Sequence, residues 1–91
     1  MLSRFLPREK FESYEDFLAN YRVTVPENFN FAADVVDAWA DEDPNKEALV
    51  WCNDEGDEKR FTFSDISRMS AKAAIAFSGL GLKRGDKVLL L

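Results

Sequence analysis

FTFSDISRMSAKAAIAFSGLGLKRGDKVLLL, Phe61 to Leu91, decides how the chain is read. Thr62 followed three residues later by Asp65 is a capping-box pattern and predicts the start of a long helix. Ile66, Met69, Ala73, Phe77 and Leu80 recur at intervals of three and four, the spacing of a buried helical stripe. Ala71, Ala73, Ala74 and Ala76 favour the helix and allow close approach to a sheet. Gly79 or Gly81 can end it in the left-handed conformation that glycine adopts cheaply. The Lys83–Asp86 stretch then turns the chain into Lys87–Leu91, apolar on both faces as a strand buried on both sides would be. Strand, helix and strand make a β-α-β crossover, which normally pairs its strands in parallel and right-handed. The fold class read from these residues is α/β.

Upstream, Ser13 with Asp16 predicts a short helix whose Tyr14, Phe17, Leu18 and Tyr21 share one face. Val23 and Val25 are extended, since Pro26 forces the residue before it out of the helical region. Asn30 caps a second helix carrying Ala32, Val35, Val36, Trp39 and Ala40 on its apolar side, with Asp34, Asp37 and Asp41 on the other. Pro44 ends it. Asp41, Glu42 and Asp43 lie where the helix dipole disfavours negative charge, the mark of a frayed, solvated terminus more often than of a cation or a basic partner. EALVWCN and KRFTF, joined through DEGDE with Gly56 in the turn, predict a hairpin that needs something packed on it.

Composition narrows the chemistry. Ninety-one residues make one small domain or a piece of a larger one, with 46% hydrophobic and 32% charged side chains. One cysteine, Cys52, and no histidine exclude an intrachain disulfide framework, make a transition-metal site unexpected, and remove the usual Ser-His and Cys-His nucleophile activation. Neither a signal-peptide core nor an apolar run of about 20 residues is present, so no membrane span is expected and a cytoplasmic location is the default. The net charge of -5 is unevenly spread: zero over residues 1–26, -10 over 27–58 and +5 over 59–91. No nucleic-acid partner is expected, because such domains carry a clear net positive charge.

The apparent motifs dissolve on inspection. The glycines at 79, 81 and 85 have the wrong spacing for a dinucleotide fingerprint and follow a helix rather than precede one. Arg84-Gly85-Asp86 reads as a turn. With Gly56 set at the sixth position of a calcium loop, Trp51 falls where a carboxylate is required, so the acidic NDEGDE is a hairpin tip. Strand alternation places Cys52 on the face of Val50 and Ala48 and predicts a packed thiol. Trp39, Trp51 and Phe77 read as core. From the residues alone there is no assembled site: no catalytic, cofactor-binding or metal-ligating residue is assigned.

Three segments taken together carry a family resemblance. VPENFNFAADVVDAWADEDPNKEALVW, RFTFSDISRMSAKAA and GLGLKRGDKVLLL resemble, in order and spacing, the N-terminal region of the adenylate-forming (AMP-binding) acyl-CoA synthetases, closest to the medium-chain acyl-CoA and acetyl-CoA synthetase branch. The resemblance runs from about Tyr21 onward. It implies a helical extension over residues 1–22 and, over 23–91, the start of the large N-terminal domain of the adenylate-forming fold, incomplete as it stands. It also implies an ATP-dependent acid–thiol ligase that forms an acyl-adenylate and then an acyl-CoA thioester, using ATP, Mg²⁺ and CoA on a carboxylic acid substrate. The family's phosphate loop, its Thr-Glu motif and its C-terminal lysine have no counterpart in these 91 residues, so none of the cofactors is expected to bind here. The expected partner is the remainder of the parent enzyme; alone, the chain is expected to self-associate or to fold only in part. A stand-alone binding or assembly module without catalysis is the alternative reading.

Overall fold

A computed structural model describes all 91 residues. After a single 3-10 turn at Leu2–Arg4, helix α1 spans Tyr14–Asn20. Helix α2 opens as a π-helical turn, Ala32–Asp37, and continues as α-helix over Ala38–Glu42. Strands β1 (Glu47–Cys52) and β2 (Glu58–Thr62) form an antiparallel hairpin, and helix α3 runs Phe63–Gly79.

Each boundary has a local cause. Ser13 Oγ accepts the Asp16 N–H at the head of α1. Asn30 Oδ1 accepts the N–H groups of Ala32 and Ala33, and the Asn30 N–H returns to Asp34 Oδ2. At the hairpin tip Gly56 takes φ of 90°, and Asn53 Oδ1 accepts from the Glu55 and Asp57 N–H groups. The capping box of α3 is complete: Thr62 Oγ1 accepts from the Asp65 N–H while Asp65 Oδ2 accepts from the Thr62 N–H. Its far end is a Schellman motif, with Leu82 N–H on Phe77 O, Gly81 N–H on Ser78 O, and Gly81 at φ of 84°.

The β-α-β crossover does not form. The sheet has two strands, and Lys87–Leu91 is an unpaired coil beyond the Gly85 turn. A strand exists only through its ladder, and no other backbone in these residues pairs with Val88–Leu91. The buried stripe of α3 is also cut short. Ile66 is half-buried, whereas Met69, Ala73, Phe77 and Leu80 are exposed, because α2 and the hairpin cover only the first turns. In α1, Phe17 stacks on Tyr21 and both meet Phe11, while Tyr14 and Leu18 stay in solvent.

The result is an open molecule. Val36 is the one buried residue. The accessible surface is 7856 Å², against roughly 5,400 Å² for a compact monomer of this mass. The radius of gyration is 17.5 Å, where a compact chain of this length has about 12 Å.

Because the N-terminus of α3 anchors the folded part, Thr62→Ala should lower stability by about 1 kcal/mol, read from the urea midpoint. The same cap carries a pH signature. The Thr62 N–H and hydroxyl hold the Asp65 carboxyl below its ordinary 3.8; at Asp16 the Glu12 N–H and the Arg8 guanidinium do the same. A lowered folded-state value stabilises fully above 3.8, and the contribution is lost as pH falls through the folded values. Ellipticity should therefore hold down to about pH 4 and fall below it; in Asp65→Asn the α3 share of that acid transition should vanish.

Candidate functional site

Two concavities lie on either side of the α2–α3 contact. The larger, about 380 Å³, is lined only by apolar side chains: Phe31 just before α2, Val35, Val36 and Trp39 from α2, Ala48 and Leu49 from β1, and Phe63 and Ile66 from α3. Sequence neighbours Ala48 and Leu49 reach the same groove because the ladder is irregular between Glu47 and Leu49, so β1 bulges there. The structure also corrects the expectation for Cys52. Every residue of β1 past Ala48 is exposed, on both faces of the strand, so nothing packs on the thiol.

The groove ends on an aromatic stack. Trp39 lies 5.6 Å from Phe63, nearly parallel at 25°, and Lys46 Nζ sits 3.8 Å above the indole. Of the three aromatic residues expected in a core, Trp39 alone packs so; Trp51 and Phe77 are 44% exposed, Trp51 beneath Lys59.

The second concavity, about 260 Å³, is shallow and partly polar, between Asn30, Ala33 and Asp37 on one side and Ser67, Ser70, Ala71 and Ala74 on the other. Here Ser67 Oγ donates to Asp37 Oδ1 at 2.6 Å. Asp37 was expected on the outer side of α2 with Asp34 and Asp41. The π-helical turn changes the angular progression and brings Asp37 round to α3. The pair is a tie between helices. The usual Ser-His activation is absent, because the chain has no histidine.

The head of α3 leaves no backbone donor free for a phosphate. The N-terminal donors of α3 are consumed internally: Phe63 N–H on Lys46 O, Ser64 N–H on Pro44 O, and Asp65 N–H on Thr62 Oγ1. Gly81 shapes the exit of a helix and Gly85 the turn after it, not a loop before a helix. No three His, Cys, Asp or Glu side chains converge on a metal position. At the end of α2, Glu42 faces the Met1 ammonium at 3.6 Å, which partners one of the three acidic residues there. No helix is long and apolar enough to cross a membrane.

The apolar groove, the Asp37–Ser67 tie and the Lys46–Trp39 contact had no signal in the sequence. The tie joins residues 30 apart, and the groove depends on a bulge that no turn residue announces.

No family model matches the sequence. Curated proteins do. The mitochondrial acyl-coenzyme A synthetase ACSM3 of Homo sapiens is 36% identical over 89 residues, covering 91% of this chain and 15% of that protein. The mitochondrial acyl-coenzyme A synthetase ACSM4 of Rattus norvegicus is 42% identical over 73 residues, 74% of this chain and 13% of that protein. ACSM5 of Mus musculus, likewise a mitochondrial acyl-coenzyme A synthetase, is 40% identical over 76 residues, 77% of this chain and 13% of that protein. The chain thus spans about one-seventh of the length of these relatives.

The cytoplasmic expectation is corrected by the same comparison, since all three relatives are mitochondrial proteins. The lack of an apolar signal core did not bear on that question, because mitochondrial transit peptides are amphipathic and Arg-rich rather than apolar.

Trp39→Ala removes the stack and the cation–π contact together and should destabilise the folded part by about 2 kcal/mol, measured as a shift in urea midpoint. Cys52 should react with a thiol reagent in the native state about as fast as in urea, which a packed thiol would not do.

Proposed function

We infer that this chain, which fits a segment of the acyl-CoA synthetase family, is scaffold of an ATP-dependent acid–thiol ligase. In this reading the whole enzyme joins a carboxylic acid to AMP, releases pyrophosphate, and passes the acyl group to CoA. Residues 1–22 are an N-terminal helical extension, and residues 23–91 begin the large domain that binds the nucleotide. The segment contributes shape and stability, not reacting groups.

One observation carries this reading: three acyl-CoA synthetases are 36–42% identical to the chain over 74–91% of its length. Two structural facts support the division of labour. The donors at the head of α3 are already used within the chain, and the larger concavity offers apolar side chains alone. Such surfaces hold neighbouring protein or hydrocarbon, not triphosphate.

The purified 91-residue chain, given ATP, Mg²⁺, CoA and a panel of straight-chain carboxylic acids, should release no pyrophosphate above a no-protein control. Acid-dependent pyrophosphate release would overturn the assignment of the chain as scaffold.

A further inference from the structure

The first residues of the chain reach into the hydrogen-bond ladder of α2. Leu2–Arg4 forms a 3-10 turn, closed by the Phe5 and Leu6 N–H groups on Leu2 O. Two contacts pin this arm: Thr24 N–H donates to Phe5 O at 2.7 Å, and Phe5 meets Phe29 edge to face at 5.8 Å. So held, Arg4 Nη1 donates to the main-chain oxygen of Asp34 at 3.2 Å. Asp34 lies inside the π-helical turn Ala32–Asp37. Its carboxylate is already engaged, since Oδ2 accepts the Asn30 N–H at 2.7 Å, and the guanidinium takes the carbonyl instead.

That carbonyl is the one the turn leaves over. In a regular α-helix the donor for Asp34 O is the N–H four residues on, that of Ala38. Here the Ala38 N–H goes to Val35 O. Where a ladder returns from π to α spacing, successive N–H groups advance their acceptor by two carbonyls and skip one. A skipped carbonyl needs a donor from elsewhere, and a charged guanidinium bonds it more strongly than a neutral group does. The consequence extends past the turn. It offsets the two parts of α2 by one residue, about 100° of rotation and about 3.8 Å between Cα atoms. Phe31 before the offset and Trp39 after it line one groove, and Asp37 Oδ1 accepts from Ser67 Oγ at 2.6 Å. A hydrogen bond of that length does not survive a shift of one residue.

We propose that Leu2–Phe5 is a strap that sets the register of α2, with Arg4 as its positioning residue through the main-chain oxygen of Asp34. With the strap docked, α2 keeps its π-helical turn, the apolar groove is aligned and Asp37 holds Ser67 on α3. With the strap released, the Ala38 N–H returns to Asp34 O, α2 runs as a continuous α-helix, and the tie to α3 is lost. The arm and the α2–α3 contact are thus two ends of one conformational switch. Only contacts within the chain enter into it, so its fate is separate from that of the ligase reading.

Nuclear magnetic resonance of the 91-residue chain reads the register directly, through scalar couplings across hydrogen bonds. The Ala38 amide should show no coupling to the Asp34 carbonyl in the unaltered chain and should gain one in Arg4→Met. Phe5→Ala, which frees the arm without touching Asp34, should do the same, whereas Arg4→Lys keeps a charged donor and should retain most of the original pattern. An unchanged Ala38 acceptor in both Arg4→Met and Phe5→Ala would overturn the switch, because the turn would then hold without its strap. A double-mutant cycle gives an independent reading from urea unfolding. Arg4 and Ser67 lie on different elements, and without the switch their effects on the unfolding constant simply multiply. With it, Ser67→Ala should be costly in the unaltered chain and nearly neutral in Arg4→Met, a coupling of roughly threefold or more. Independent effects of the two substitutions would overturn the link between the arm and α3.

Discussion

The stack of Trp39 on Phe63 is the joint on which the folded part turns. Phe63 is the first residue of α3, so its ring fixes where that helix starts relative to α2. Its N–H meets Lys46 O, and Ser64 N–H meets Pro44 O, which draws the loop between α2 and β1 against the same point. Lys46, held by that loop, then closes over Trp39. Thr62, at the end of β2, caps the helix that Phe63 begins. Four elements therefore meet within one cluster of backbone and ring contacts. Beyond it the packing thins: Val36, at 8% exposure, is the one buried residue, and no side chain is fully withdrawn from water.

Much of this was legible because local chemistry carries it. The Thr62–Asp65 box, the Ser13 and Asn30 caps, the Gly56 hairpin and the Gly81 helix exit each need only a few adjacent residues, and each forms as its sequence implies. What the sequence hid depends on distant partners. The bulge at Ala48 brings Ala48 and Leu49 to one groove, and Cys52 lies on a stretch of β1 that nothing covers. The π-helical turn moved Asp37 onto Ser67, a partner 30 residues away. Lys87–Leu91 has the composition of a strand, but composition supplies no hydrogen-bonding neighbour. The site was illegible for a simpler reason: the groove that does form is made of residues that any core would use.

The contrast between the two halves of α3 gives the molecule its functional meaning. The first half is held by α2 and the hairpin, where tertiary contacts and the cap reinforce each other. The second half keeps helical geometry through its alanines and its Schellman end, and only Ala71 and Ala74 face another element, the start of α2 across the shallow concavity. A sequence selected for an isolated surface would place charges there. The chain spans about one-seventh of the length of the acyl-CoA synthetases it resembles.

The central claim, that these residues are scaffold within a larger ligase, is tested most directly by the intact mass of the native product in its source cells, detected with an antibody to the hairpin tip. The account predicts a species several times heavier than the chain's 10.4 kDa. A single species at 10.4 kDa would contradict it.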